Sequence, residues 1–258
     1  MMIEGAECSL FFFGRLAERL LQEFAKFSSR NGRAGSNPAP SAKYILYMKP
    51  KVAIFLNEPA ASESCVNGIM QALKGYRFQL FSKKTFQNVD FSTIDLVAFP
   101  GGYGEADLFN RLVKPNAQII TNYMNNGGRF LGICMGAYWA DKKYFNFLKD
   151  VRAVQYITRP RSEIRRSYST IANVKWSREY HSMYFYDGTA FIGEGKYKRV
   201  ATYANGDAMA LIQGRVGVIG CHPESMKHWY KKPYMREYWH DDEHHALLHG
   251  FVERLMRT

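Results

Sequence analysis

Between residues 51 and 133 the chain carries short runs of almost unbroken apolar residues, and these constrain the fold more than any other feature. Ile94 to Phe99 is the clearest, interrupted only by Asp95. A strand that is apolar on both faces must be covered on both, as in a parallel sheet between layers of helix. Lys51 to Leu56, Phe78 to Phe81 and Arg129 to Gly132 read as further strands. Ser62 to Leu73, Ala117 to Met124 and the segment from Ala137 onward read as helices between and after them. Strands alternating with helices predict right-handed crossovers and a parallel sheet. After about residue 165 the pattern turns β-rich. Arg199 to Tyr203, Ala208 to Gln213 and Val216 to Cys221 are separated by Asn205-Gly206 and Gly214-Arg215 turns, which predicts an antiparallel extension. Tyr238 to Met256 returns to helix. The expected class is α/β, with a central, mostly parallel sheet, helices on both faces and that extension.

Ahead of this pattern, Leu10 to Phe27 has apolar residues at helical spacing, through Leu16, Leu20, Leu21, Phe24 and Phe27. A Ser, Asn, Gly and Pro-rich run from Ser28 to Ser41 follows and reads as a linker. The chain is therefore divided into residues 1–43, an amphipathic helix and linker, and residues 44–258, the main domain.

Composition narrows the class further. No apolar run approaches the ~20 residues needed to span a bilayer. Glu4 and Glu7 stand where a secretory leader would be basic, so a cytoplasmic location is expected. The four cysteines, Cys8, Cys65, Cys134 and Cys221, show no paired spacing of the kind used by disulfide frameworks or zinc knuckles. A net charge of +12 admits nucleic acid as a partner. However, the densest basic stretch, Arg159, Arg161, Arg165 and Arg166, is broken by Pro160, Ser162 and Glu163 and belongs to no nucleic-acid motif, so nucleic-acid binding is not expected.

Three segments carry chemistry. Gly132-Ile133-Cys134-Met135-Gly136 lies between a strand and a helix, where a nucleophile stands out at the strand's carboxyl end on a tight turn relieved by glycines. Alone, this motif is equally that of a buried cysteine between packing glycines. Gly220-Cys221-His222-Pro223-Glu224 supplies a base, His222, and a group to orient it, Glu224. Period-two alternation puts these two on one side and Cys221 on the other, so Cys221, like Cys65, reads as packing. Pro100-Gly101-Gly102-Tyr103-Gly104 follows the Ile94 to Phe99 strand. Its Gly101 or Gly102 N–H, with that of Met135, is placed to form an oxyanion hole. His240, His244, His245 and His249, with Asp241, Asp242 and Glu243, could share a metal on a helix face, but a charged helix end is the commoner reason for such a cluster.

The ordered set Phe99-Pro-Gly-Gly, Gly128-Arg-Phe-Leu-Gly-Ile-Cys-Met-Gly-Ala-Tyr, Tyr186-Asp-Gly and Gly220-Cys-His-Pro-Glu resembles the amidotransferase-like domain at the N-terminus of eukaryotic biotin-protein ligases and its free-standing bacterial relatives. The resemblance runs from about Lys51 to Ser225. It implies the flavodoxin-like class I glutamine amidotransferase fold, a Cys134, His222 and Glu224 triad, and a substrate-facing role for Tyr186, Asp187 and Gly188, with Tyr103 nearby. It calls for no cofactor and no metal. No Gly-Arg-Gly-Arg biotinyl-adenylate loop is present, so biotin ligation is not expected.

The leading expectation is a cysteine-dependent, amidotransferase-like hydrolase of a small amide, amino acid or peptide. A separate acceptor subunit would be required if ammonia were passed on. The rivals are a ligand-binding or regulatory module of the same fold, and a redox or carbonyl-adduct thiol protein in which Glu58 would stand near the thiol.

Overall fold

The computed structural model describes residues 49–258; the helix expected over Leu10 to Phe27 and the expected linker lie outside them. Eleven strands form one sheet. Its parallel part comprises β1 (Lys51–Phe55), β2 (Arg77–Phe81), β3 (Leu96–Phe99), β4 (Phe130–Ile133) and β11 (Val216–Ile219), in the order β2-β1-β3-β4-β11. The helices between these strands are α1 (Glu63–Ala72), α2 (Leu108–Leu112) and α3 (Ala117–Asn125). The two-sided burial expected from the apolar runs is present. Val52, Ile54, Leu96, Ala98, Leu131 and Ile133 enter one core, while Ala53, Phe55, Val97, Phe99 and Phe130 enter the other, and all are fully buried. The second core is aromatic: Phe99 lies 5.2 Å from Phe55, 5.5 Å from Phe130 and 5.7 Å from Trp139 between ring centroids.

Beyond β11 the pairing becomes antiparallel. It continues through β10 (Ala208–Gln213), β9 (Lys198–Tyr203), β6 (Thr170–Trp176) and β7 (Glu179–Phe185), with β8 (Thr189–Ile192) and β5 (Arg152–Gln155) branching from β10. The β9 to β10 turn uses Gly206 at φ 91° and the β10 to β11 turn uses Gly214 at φ 54°, as the Asn205-Gly206 and Gly214-Arg215 signals require.

Three expectations are corrected. The helix expected from Ala137 onward is α4, Met135–Trp139, five residues long. Past it the buried Asp141 takes over the chain, accepting from the backbone N–H of Lys143 and Ala153 and from Arg152 Nε at 2.9, 2.8 and 2.9 Å. The last expected strand stops at Ile219 rather than Cys221. The closing helix, α5, spans Glu243–Met256, and the residues before it form a 3₁₀ turn, Pro233–Tyr238. The basic stretch is a structural loop: Arg159 pairs with Asp207 at 2.7 Å, and Arg165 donates to the Arg159 carbonyl at 3.1 Å. Among the described residues no helix is long and apolar enough to cross a membrane.

Candidate active site

Cys134 connects β4 to α4 with φ 50° and ψ −104°. A residue with a β-carbon adopts a positive φ only when its surroundings hold it there, at a cost of ~1–3 kcal/mol. Here the Cys134 N–H donates to the Ile219 carbonyl at 2.9 Å, and its carbonyl accepts from Thr189 Oγ1 at 3.2 Å and from the Ala137 and Tyr138 amides at 3.0 and 3.2 Å. The first of these bonds ties the turn to β11, the strand that leads into His222.

Because β11 ends at Ile219, strand alternation does not orient residues 221 to 224 as expected. A turn does. The His222 N–H donates to the Tyr184 carbonyl and the Ser225 N–H to the His222 carbonyl, both at 3.1 Å. This folds the Glu224 carboxylate back onto the imidazole, with Oε1 2.8 Å from His222 Nδ1. Glu224 is fully buried and its Oε2 has no partner among the described residues. Cys221 points away and is packed against Tyr203 Oη at 3.7 Å, and burial pushes its thiol up to about 12.

The imidazole is 4% exposed. Burial opposes its protonation, but the charges of Cys134 and Glu224 and hydrogen bonds from Cys134 and Cys65 outweigh this, so its pKa lies well above the ordinary histidine value. Gly101 lies directly against this pair. A β-carbon there would fall 2.6 Å from His222 Cε1 and 3.2 Å from Cys134 Cβ. Among the described residues the N–H groups of Gly101, Gly102 and Met135 have no backbone or side-chain acceptor. Gly68 of α1 meets the other side of the loop, where a β-carbon would stand 2.0 Å from the Glu224 carbonyl oxygen.

Cys65, expected to be packing only, lies beside His222. Its Sγ, a His222 ring nitrogen and a Glu224 carboxylate oxygen are all within 4.8 Å of one another. This is the one grouping among the described residues with donors close enough for a metal ion. Since Glu224 Oε1 is engaged by Nδ1, it reads as a hydrogen-bonded set. Burial pushes the Cys65 thiol up despite the bond to His222. A sequence signal was available: Ser62 caps α1 through the Cys65 N–H at 3.2 Å, and the first turn of a helix after a parallel strand faces the carboxyl ends of the strands, where the site lies.

The other expected residues divide. Cys134 Sγ lies 3.8 Å from the Tyr186 carbonyl, and the Tyr186 and Tyr103 rings meet edge to face at 5.4 Å over the site. Asp187 lines the cavity beside Cys134 and its Oδ2 accepts from Gln155 Nε2 at 3.0 Å. Gly188 is buried against the Gly220 carbonyl and Tyr203 Oη and lines neither cavity at the site. Glu58 accepts from the Glu63 N–H at the start of α1 and borders the His222 side, not Cys134. The four C-terminal histidines part company. His245 holds the Ser225 carbonyl at 3.0 Å, His240 stacks on His244 at 4.0 Å, and His249 lies against Tyr76 on another face.

Residues 53–157 match the family model described as the N-terminal part of biotin-protein ligase. Curated proteins give no match. Among solved structures, a glutamine amidotransferase from Thermotoga maritima is similar at 15% identity, over 81% of this chain and 99% of that one, with a TM-score of 0.58. PurLQS from the same organism is similar at 15% identity over 81% and 100%, with a TM-score of 0.52. A putative GMP synthase subunit from Thermoplasma acidophilum is similar at 13% identity over 80% and 98%, with a TM-score of 0.50. At these identities the likeness establishes the fold, which is that of the class I glutamine amidotransferases.

Proposed function

We propose that this chain, whose residues 53–157 belong to the biotin-protein ligase N-terminal family and whose fold is the class I amidotransferase fold, is a cysteine-dependent hydrolase of a small amide or peptide. The observation that carries the reading is Cys134 at φ 50° beside an imidazole whose Nδ1 is held 2.8 Å from a buried carboxylate. With Nδ1 engaged, Nε2 is the nitrogen available to the substrate. Cys134 thiolate attacks the carbonyl, and the free N–H groups of Gly101, Gly102 and Met135 receive the developing oxyanion. His222 gives its proton to the departing nitrogen. It then takes one from water as water breaks the thioester, while Glu224 stabilises the imidazolium and fixes its tautomer. Biotin transfer has no part in this cycle. Release of ammonia to a second reaction would require a separate acceptor subunit.

The test is site-resolved labelling. Limiting iodoacetamide at neutral pH should modify Cys134 at least tenfold faster than Cys65 or Cys221, and His222→Ala should remove most of that advantage. Equal labelling of the three, indifferent to His222, would leave a binding module as the better reading. One observation favours the redox rival: Cys65 Sγ lies within 4.8 Å of a ring nitrogen of His222, and Gly101 meets both that imidazole and Cys134. Peptide mapping after peroxide treatment separates the two readings, because a Cys65–Cys134 disulfide forming in preference to other oxidation belongs to the redox protein.

A further inference from the structure

The catalytic pair sits on a boundary between two cavities. One, of about 390 Å³, contains Cys134 and Met135 and is walled by polar groups including Gln155, Asp187, Lys143 and Arg152. The other, of about 410 Å³, contains His222 and is walled by Tyr103, Tyr184, Tyr186 and Trp229. They adjoin at Gly102 and Tyr186, which line both. Cys134 borders the first and not the second, and His222 borders the second and not the first.

That division has a chemical meaning, which rests on the hydrolase reading above. When the Cys134 sulfur bonds to the acyl carbon, the C–N bond breaks and the nitrogen takes the proton carried by His222 Nε2. The acyl part must then lie on the Cys134 side and the amine part on the His222 side. Ammonia needs about the space of a water molecule, on the order of 30 Å³. The cavity on the His222 side is more than ten times that size. Its surface is aromatic around the base itself: the Trp229 and Tyr184 rings lie 5.4 and 5.7 Å from the imidazole and 5.0 Å from each other. The indole is held in place, since Trp229 Nε1 donates to Ser64 Oγ at 2.6 Å and Ser64 Oγ contacts His228 Nε2 at 3.0 Å.

We infer that this aromatic cavity is the leaving-group subsite and that it takes an amine bearing an aromatic or planar apolar substituent. The substrate class is then an N-substituted amide rather than a primary amide that releases ammonia. After the amine departs neutral, water enters from the same side, His222 takes its proton, and the C–S bond breaks to restore the thiolate and imidazolium.

The experiment uses the full chain and paired probes: a panel of aminoacyl groups, each offered as its primary amide and as its benzylamide. Benzylamine and ammonia are of nearly equal basicity, so the comparison isolates the cavity from leaving-group chemistry. Acyl-enzyme at Cys134 is read by mass spectrometry and amine release by chromatography. The expected result is that the best benzylamide acylates Cys134 at least ~10-fold faster than its primary amide, and that Trp229→Ala and Tyr184→Ala each cut that ratio by ~10-fold. Trp229→Phe, which keeps an aromatic wall, should retain most of it. Acylation of Cys134 by primary amides alone, or a ratio indifferent to both variants, overturns the inference while leaving the hydrolase reading standing. No acylation by any probe, with Cys134→Ala indistinguishable from the unaltered protein, removes both.

Discussion

The proposed nucleophile and the proposed base follow neighbouring strands, β4 and β11, and are held by different physics. Cys134 belongs to the parallel half. Its position follows from the path of β4 into a one-turn helix, from neighbouring carbonyls and from the close approach of Gly101. His222 and Glu224 stand where that half meets the antiparallel one, on a turn outside regular structure. Packing behind that turn holds it: Ser225 Oγ contacts Tyr230 Oη at 2.8 Å and His240 Nε2 at 3.3 Å, and His245 holds the Ser225 carbonyl. Cys134 is placed by backbone, His222 by side chains distant in sequence. Damage to the first should therefore cost chemistry with little stability, and damage to the second should cost both.

The largest expected effect tests the nucleophile alone. Cys134→Ser should lower turnover of any amide that acylates the protein by on the order of 10⁴-fold or more, with the thermal midpoint close to that of the unaltered protein. A comparable loss of stability would erase the contrast. Glu224→Gln comes next, at roughly 10³ to 10⁴-fold in kcat, because the amide can hold the ring in place but cannot stabilise the imidazolium. Calorimetry of this variant should also show a lower midpoint, since the carboxylate is fully buried with one oxygen bonded to the ring.

Acid should act on the base side through its histidine packing. Burial first, and then neighbouring imidazoles, push His244 down to about 2 and His240 down to about 4. His181 at ring distance 5.6 Å, His245, Glu243 and Asp242 complete the surroundings of this cluster. Folded pKa values below the unfolded value mean that the unfolded chain binds protons the folded chain refuses. The stability present above pH 6.5 is therefore lost as pH falls. Between pH 6.5 and 4.5, His244 alone should account for about 2 kcal/mol, a fall in Tm of roughly 4 to 8 °C by circular dichroism. His244→Leu should flatten that dependence, and an unchanged slope would show that the cluster does not support the turn. The smallest effect is expected for Cys65→Ala, which leaves Glu224 on Nδ1. Turnover should stay within about threefold, and a larger loss would move Cys65 into the catalytic machinery.

The same asymmetry decides what could be read in advance. Unbroken apolar strands and a glycine-flanked cysteine are local signals, so the parallel half, Cys134 and the Pro100 to Gly104 loop were legible residue by residue. The pairing of His222 with Glu224 was legible from spacing, but for the wrong physical reason, since a turn and not a strand brings them together. What supports them was not legible. Cys65 looked like a packing residue, His240, His244 and His245 like a charged helix end, and nothing marked Trp229 or Tyr184, because each acquires its place from a contact with a distant part of the chain. Gly188 differs in the other direction. It stands within a segment that does border the site, yet it lines neither cavity itself and reaches the site only through its carbonyl, which accepts from Tyr138 Oη at 3.4 Å.

The approach of α1 to the Glu224 carbonyl at Gly68 makes a position with no chemistry of its own one of the least replaceable in the chain. Any side chain there must push the helix off the loop, which withdraws Cys65 from the imidazole, or the loop off the helix, which moves the carboxylate. In a mutational scan selecting for the proposed activity, Gly68 would score with Cys134, His222 and Glu224, and a reader mapping tolerance onto sequence would draw the site around a helix midpoint. Conversely, a designer moving this arrangement onto another scaffold would have to carry over the missing β-carbon along with the three side chains.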